Sequence, residues 1–222
     1  MKIGFIGIGN MGEPMSTNLR RGGYEVIVHN RSPRPSIQRL IAQGADVAFT
    51  LAEVAKKCDI VCTCVTMPKD TDDVYLGQDG LVHNARKGQI FVEHSTIGPA
   101  QARRIAHACH EKGAAFLDAP VSGGVAGATN ATLTIMVGGD NAHFEEVRPV
   151  LEKMGKNVMH VGGTGAGCIV KLINQYILAI NQAALTEGFI LAKKSGVDPK
   201  VAYEVIKTSS GSSATLTSTF LE

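Results

Sequence analysis

The 222-residue chain has no tryptophan, and only 5% of it is aromatic. That is too little for the stacking platforms that hold single-stranded nucleic acid. Lysine and arginine nearly balance the acids, 22 against 20, and they are scattered, so nothing points to a nucleic-acid partner. No apolar run reaches the ~18 residues that a membrane span requires. Met1 leads at once into a strand-like segment, which leaves no room for a signal peptide. The five cysteines are odd in number and lack metal-ligand spacing, so no metal is expected. Cys62 and Cys64 alternate along a buried-strand pattern and read as core thiols of a reducing compartment. Together these absences describe a cytoplasmic globular protein.

What is present is the βαβ rhythm of a parallel sheet. Strands are expected near residues 3–6, 26–30, 60–65, 90–93, 116–118, 133–137 and 158–161, the last two extending the sheet as an edge. Helices fit residues 11–21, 36–43, 50–56, 99–111 and 142–154, and Gly22-Gly23 closes the first of them as a C-terminal stop. The acidic cluster Asp70, Asp72 and Asp73 after Pro68 reads as a helix start, where acids are favoured. His107 and His110 read as solvent-facing, and His94 falls near the cofactor end without an assigned role. After Gly167 the rhythm changes to a long helix reaching Lys194, then a second helix with Pro199 in its first turn. The expected fold is therefore a doubly wound Rossmann-type α/β sheet over residues 1–163. An all-helical second domain, 164–222, follows and breaks off unfinished at the start of a further helix.

Gly7-Ile8-Gly9-Asn10-Met11-Gly12 fits GxGxxG between a strand and a helix. That setting places a pyrophosphate on a helix N-terminus. Gly7 permits the tight turn, Gly9 lets the backbone approach phosphate, and Gly12 lets the helix pack close to the strand. At the end of the second strand an acid would bond the ribose 2′-hydroxyl of NAD. This chain carries Asn30, Arg31 and Ser32 there, with Arg34 close by. A guanidinium pairs phosphate bidentately, so NADPH is the expected cofactor.

At the other end, the glycine-dense joint Gly162–Gly167 runs into a helix bearing Lys171, Asn174 and Gln175 on one face. Reducing a carbonyl needs a proton delivered to its oxygen, and an ammonium stabilises the developing alkoxide before protonating it. At the ordinary lysine pKa of ~10.4, Lys171 is charged at neutral pH and alkaline conditions favour the reverse reaction. Asn174 and Gln175 would orient the substrate or the lysine. The Ser122 hydroxyl with the amides of Gly123 and Gly124 would cradle a carboxylate. The polar stripe continues through Asn181 and Gln182 as a semi-buried seam, opposite an apolar face of Ile169, Ile173, Ile177 and Ile180.

These segments resemble, in order and along nearly the whole chain, the β-hydroxyacid dehydrogenase family, which includes 3-hydroxyisobutyrate dehydrogenases and tartronate semialdehyde and glyoxylate reductases. Gly7–Leu19, with Asn10 and Met11, resembles its cofactor signature. Asp118–Gly124 resembles its substrate signature and Gly162–Asn174 its catalytic one. The resemblance implies Lys171 as proton donor, with Asn174 beside it. It implies Ser122 and Gly123 as the carboxylate site, and Val65, Met67 and Thr96 as strand-end residues against the cofactor. Gln175, where many members have a second Asn, resembles the tartronate semialdehyde branch. The expected reaction is NADPH-dependent interconversion of a small carboxylate-bearing aldehyde or ketoacid and its hydroxyacid, in a homo-oligomer built through the helical domain. Two alternatives stand beside it. A phosphogluconate-type oxidative decarboxylase would carry His where this chain has Ile173. A non-catalytic nucleotide-binding module of the same fold would typically lack the lysine.

Overall fold

The computed structural model describes residues 1–219. In chain order its elements are β1 (Lys2–Ile6), α1 (Gly12–Arg21), β2 (Glu25–His29), α2 (Pro35–Ala42), β3 (Asp46–Val47), α3 (Leu51–Lys57), β4 (Ile60–Thr63) and α4 (Pro68–Leu76). A 3₁₀ turn at Leu81–Asn84 leads to β5 (Ile90–Glu93), α5 (Pro99–Glu111), β6 (Ala115–Asp118), β7 (Val121–Ser122) and α6 (Gly124–Thr129). The chain continues through β8 (Leu133–Gly138), α7 (Asn141–Leu151), β9 (Gly155–Gly162), α8 (Ala166–Lys194), α9 (Pro199–Ile206) and α10 (Ala214–Thr219). The further helix expected towards Glu222 is thus α10 as far as Thr219, and its continuation lies outside the described residues.

The sheet runs β3-β2-β1-β4-β5-β6-β8-β7, with β9 paired to β8. Its first six strands are parallel and carry the doubly wound order, whose reversal point lies between β1 and β4. Successive side chains on a strand point to opposite faces, and each face has its own core. Ile3, Phe5, Val26, Val28, Cys62 and Val92 pack on one side, with the helices around Leu19 and Leu40. Ile6, Ile27, Val61, Phe91 and Phe116 pack on the other, where Tyr75 stands edge-on to both phenylalanines. Burial drives the Cys62 thiol well above its usual pKa, as a core thiol requires.

The edge is more elaborate than the two extra strands expected. β8 turns antiparallel to β6 and β7, and β9 returns parallel to β8. Gly23, not Gly22, takes the left-handed backbone after α1, at φ +89°. The chain packs as two compact units, Met1–Lys171 and a second beginning at Leu172, so the division falls inside α8.

Within that second stretch the polar seam is more open than its composition suggests. Asn174 and Asn181 are half-buried, but Gln175 and Gln182 are exposed, and so are Ile173, Ile177 and Ile180. One described helix, α8, is long and apolar enough by length and composition to cross a membrane, with a mean hydropathy of 1.2 in its most apolar window.

Candidate active site

A cavity of about 520 Å³ opens where β1 and β4 end, at the point where the strand order reverses. Gly7, Gly9, Asn10, Met11 and Gly12 line it from the β1–α1 turn, Asn30, Arg31 and Ser32 from the end of β2, and Val65 from the end of β4. The local backbone explains the glycines. Gly7 has φ +91°, and a Cβ there would overlap the carbonyl oxygen of Cys64. A Cβ on Gly12 would overlap the carbonyl oxygen of Gly7, so α1 can start against β1 only without a side chain. A Cβ on Gly9 meets no protein atom within 4 Å. Its open side fits the close approach of a phosphate to backbone N–H groups at a helix start.

Asn30 lines the cavity and also has a structural task. Its Oδ1 accepts the N–H of Ile8 at 3.0 Å and its Nδ2 donates to the Ser32 carbonyl at 2.7 Å, which ties the β2 end to the glycine turn. Ser36 Oγ donates to the Ile8 carbonyl at 2.8 Å. Arg31 reaches across the cavity mouth to Asp70 Oδ1 at 3.1 Å.

Two expected cofactor residues are not among those lining the cavity. Met67 is 59% exposed and stands just before α4, while its neighbour Thr66 faces the cavity instead. Thr96 is exposed in the loop after β5.

Behind the β4 end lies a buried polar chain that sequence reading did not find. Glu93 accepts from Thr63 Oγ1 at 2.7 Å and from the Ser95 N–H at 2.6 Å. Tyr75 Oη lies 2.8 Å from the same threonine oxygen, and Ser95 Oγ accepts the N–H of Val65 at 2.8 Å. Burial raises the Glu93 carboxyl to about 7, against the lowering pull of those hydrogen bonds. His94, stacked on Phe5, is pushed down to about 4 by burial. Its Nδ1–H donates to the Ala119 carbonyl at 2.8 Å, and Nε2 has no partner among the described residues.

The lysine is placed from β6. The Asp118 carboxylate is fully buried and accepts the N–H of Gly165 at 2.7 Å and of Cys168 at 2.8 Å. A helix leaves its first N–H groups without internal partners, so Asp118 both satisfies and fixes the start of α8. Gly167 makes the docking close, since a Cβ there would overlap the Met136 carbonyl oxygen. Lys171 follows three residues after Cys168 and is 92% buried, at 8% exposure. Among the described residues it has neither an ion pair nor a hydrogen bond, and desolvation lowers its pKa below the ordinary lysine value. This departs from the ordinary value expected from the sequence.

Ser122 sits half-buried on β7, paired with Thr134, and its hydroxyl has no partner among the described residues. Gly123 and Gly124 follow with φ +130° and +60° at the start of α6. Asn174 and Gln175 lie further along α8, with Asn174 Nδ2 donating to Gln175 Oε1 at 3.2 Å.

A glycine turn at the reversal point of such a sheet, opening on a cavity, defines a dinucleotide-binding protein of the Rossmann class. Residues 2–162 match the family described as the NAD binding domain of 6-phosphogluconate dehydrogenase, and residues 165–222 that described as NAD-binding of NADP-dependent 3-hydroxyisobutyrate dehydrogenase. The chain is 41% identical to a 3-hydroxyisobutyrate dehydrogenase of Pseudomonas aeruginosa, over 94% of this chain and 70% of that protein. An NAD-dependent L-serine dehydrogenase of the same organism is 40% identical, over 95% and 70%. A 2-hydroxy-3-oxopropionate reductase of Escherichia coli is 42% identical, over 90% and 68%. A solved complex of Psf3 with NADP+ and 2-OPP superposes with a TM-score of 0.88 at 32% identity, covering 97% of this chain and 76% of that one. The chain belongs to the β-hydroxyacid dehydrogenase family, oxidoreductases that act on CH–OH groups with a nicotinamide cofactor.

Proposed function

We propose that the protein uses NADPH to reduce a small carboxylate-bearing aldehyde or ketoacid to its hydroxyacid, with tartronate semialdehyde or glyoxylate as the leading substrates. The observation that carries this reading is Lys171, an ammonium that is buried and unpaired among the described residues, on a helix start held by Asp118. Burying a cation without a counterion is costly, and a site that receives an oxyanion gives that cost a purpose.

A nicotinamide cofactor held by the glycine turn would supply hydride chemistry at this site. Lys171 Nζ holds the proton that the carbonyl oxygen takes up, and its charge stabilises the oxygen while negative charge develops there. Its lowered pKa makes that transfer easier and brings the neutral amine, which the reverse reaction needs, nearer to neutral pH. The free Ser122 hydroxyl and the N–H groups of Gly123 and Gly124 would bind the substrate carboxylate. Asn174 and Gln175 would orient the substrate hydroxyl side, with Gln175 favouring the tartronate semialdehyde branch. Arg31, with Ser32 beside it, is the group that would meet the 2′-phosphate, which favours NADPH over NADH. The exposed Ile173, Ile177 and Ile180 face is read as the surface through which the protein forms a homo-oligomer.

The test is oxidation of NADPH and of NADH with each candidate substrate, for the wild type and Lys171→Ala. The reading requires turnover with NADPH that the substitution lowers by about 10²–10⁴-fold, the usual contribution of a positioned proton donor. Turnover left intact by Lys171→Ala would remove the assignment.

A further inference from the structure

At the cavity mouth Arg31 is not a free cation. Its Nη1 lies 3.1 Å from Asp70 Oδ1, which joins the end of β2 to the first turn of α4, 39 residues away in sequence. Both residues line the cavity, as do Arg34 and Asp73, so the wall that would face the adenosine end carries two cations and two acids.

The two members of the pair differ in how firmly they are held. The Arg31 side chain is 83% exposed, whereas that of Asp70 is 23% exposed. Asp70 Oδ2 also accepts the N–H of Met67 at 3.2 Å, which caps the start of α4. Asp70 is therefore the fixed partner and Arg31 the one that can swing. Among the described residues Arg34 forms no ion pair.

We infer that Asp70 is a specificity-determining residue that weakens recognition of a 2′-phosphate by holding the Arg31 guanidinium and by placing its own negative charge at the same wall. The inference rests on the reading of Arg31 as the 2′-phosphate ligand. A phosphate entering this wall must either displace Asp70 from the guanidinium or share its five N–H donors with the carboxylate. In both cases the acid opposes the phosphate, while a 2′-hydroxyl meets no such opposition and can donate to the carboxylate. The preference of this protein for NADPH over NADH is accordingly smaller than Arg31 alone would set. The effect is bounded by the modest strength of exposed ion pairs and is screened by salt.

Asp70→Asn is the informative change, because the amide oxygen can still accept the Met67 N–H while the charge is gone. Binding of 2′,5′-ADP and of 5′-AMP is measured by calorimetry at low and high salt. The proteins are the wild type, Asp70→Asn, Arg31→Ala and the double variant, with melting temperatures recorded for each. The expected result for Asp70→Asn is 2′,5′-ADP binding tightened about 2- to 5-fold, the range of an exposed pair, with 5′-AMP not tightened and the gain reduced by salt. In the Arg31→Ala background the gain shrinks towards what charge repulsion alone supplies. If Arg31→Ala weakens 2′,5′-ADP but Asp70→Asn leaves it unchanged or weaker, Asp70 does not oppose the phosphate, and the inference alone is overturned. If Arg31→Ala binds 2′,5′-ADP as the wild type does, the underlying reading of Arg31 fails and the inference falls with it.

Discussion

The carboxylate of Asp118 accepts the backbone N–H of Cys168 at 2.8 Å, three residues before Lys171 on the same helix. A strand end thereby holds a helix start, and the side chain proposed for proton transfer takes its place from that joint. Hydrogen bonds to a buried charge are worth about 1.5–3 kcal/mol each, and losing the acceptor strands the donors. Asp118→Ala is therefore expected to cost about 3–5 kcal/mol of stability. Asp118→Asn keeps one good acceptor and should cost less, while lowering kcat more than it weakens cofactor binding. Urea unfolding and steady-state kinetics check both, and wild-type kcat in Asp118→Asn would break the proposed link between Asp118 and Lys171.

Two glycines of one motif should behave in opposite ways. Gly12→Ala drives a methyl into the Gly7 carbonyl, whereas Gly9→Ala points one into empty cavity. Gly12→Ala should lower stability by about 1–3 kcal/mol, as overpacking does. Gly9→Ala should melt near the wild type yet bind NADPH poorly. Thermal melts and fluorescence titration separate the two, and tight NADPH binding by Gly9→Ala would mean that phosphate does not approach there.

Glu93 and His94 act on stability with opposite signs. The Glu93 carboxyl rises from 4.5 to about 7 on folding, so between those values the native state holds a proton that the unfolded chain has lost. Stability from this group is greatest below 4.5 and declines as pH rises to about 7. His94 falls from 6.5 to about 4, so the unfolded chain takes up the extra proton and stability declines as pH falls through that window. Between pH 4.5 and 6.5 the two nearly cancel. Glu93→Gln removes one side of the balance, and its stability should then fall on acidification with a slope approaching ~1.4 kcal/mol per pH unit. Urea titrations across that range decide it, and equal slopes in wild type and variant would refute the opposition.

The pH dependence of catalysis should report Lys171. Desolvation lowers its pKa, so kcat/KM for reduction should fall along an alkaline limb centred below the ordinary lysine value. The rate of hydroxyacid oxidation should rise over the same interval. Lys171→Arg keeps a charge that cannot titrate and should erase the limb along with most of the oxidation rate. A limb that survives in Lys171→Arg would assign the titration to another group.

Where a pattern repeats over several residues, the sequence alone suffices. The strand expected at 90–93 and the helix expected at 99–111 match β5 and α5, because alternation and an amphipathic stripe both persist long enough to read. β3 and β7 have two residues each and α6 has six, too few to show a period. The glycine turn and the β2 end were legible as cavity residues because a motif with a known geometry places them, and Val65 through the family resemblance alone. Thr66 was missed in favour of Met67, since which of two neighbours turns inward depends on how the chain leaves β4. Asp118 and Glu93 were invisible as anchors for a different reason. Asp118 serves backbone N–H groups 47 and 50 residues away, and Glu93 takes a hydroxyl from Thr63 30 residues away; no local pattern announces a carboxylate with so distant a partner.

An α-helix turns about 100° per residue, and α8 is clamped at Gly165 and Cys168. The direction in which Lys171 points is thus a matter of phase, counted from the clamp. One residue inserted between Cys168 and Lys171 would leave composition, charge and helical propensity almost untouched, yet rotate the ammonium by more than a quarter of a turn. Length, more than chemistry, is what this short segment has least freedom to change.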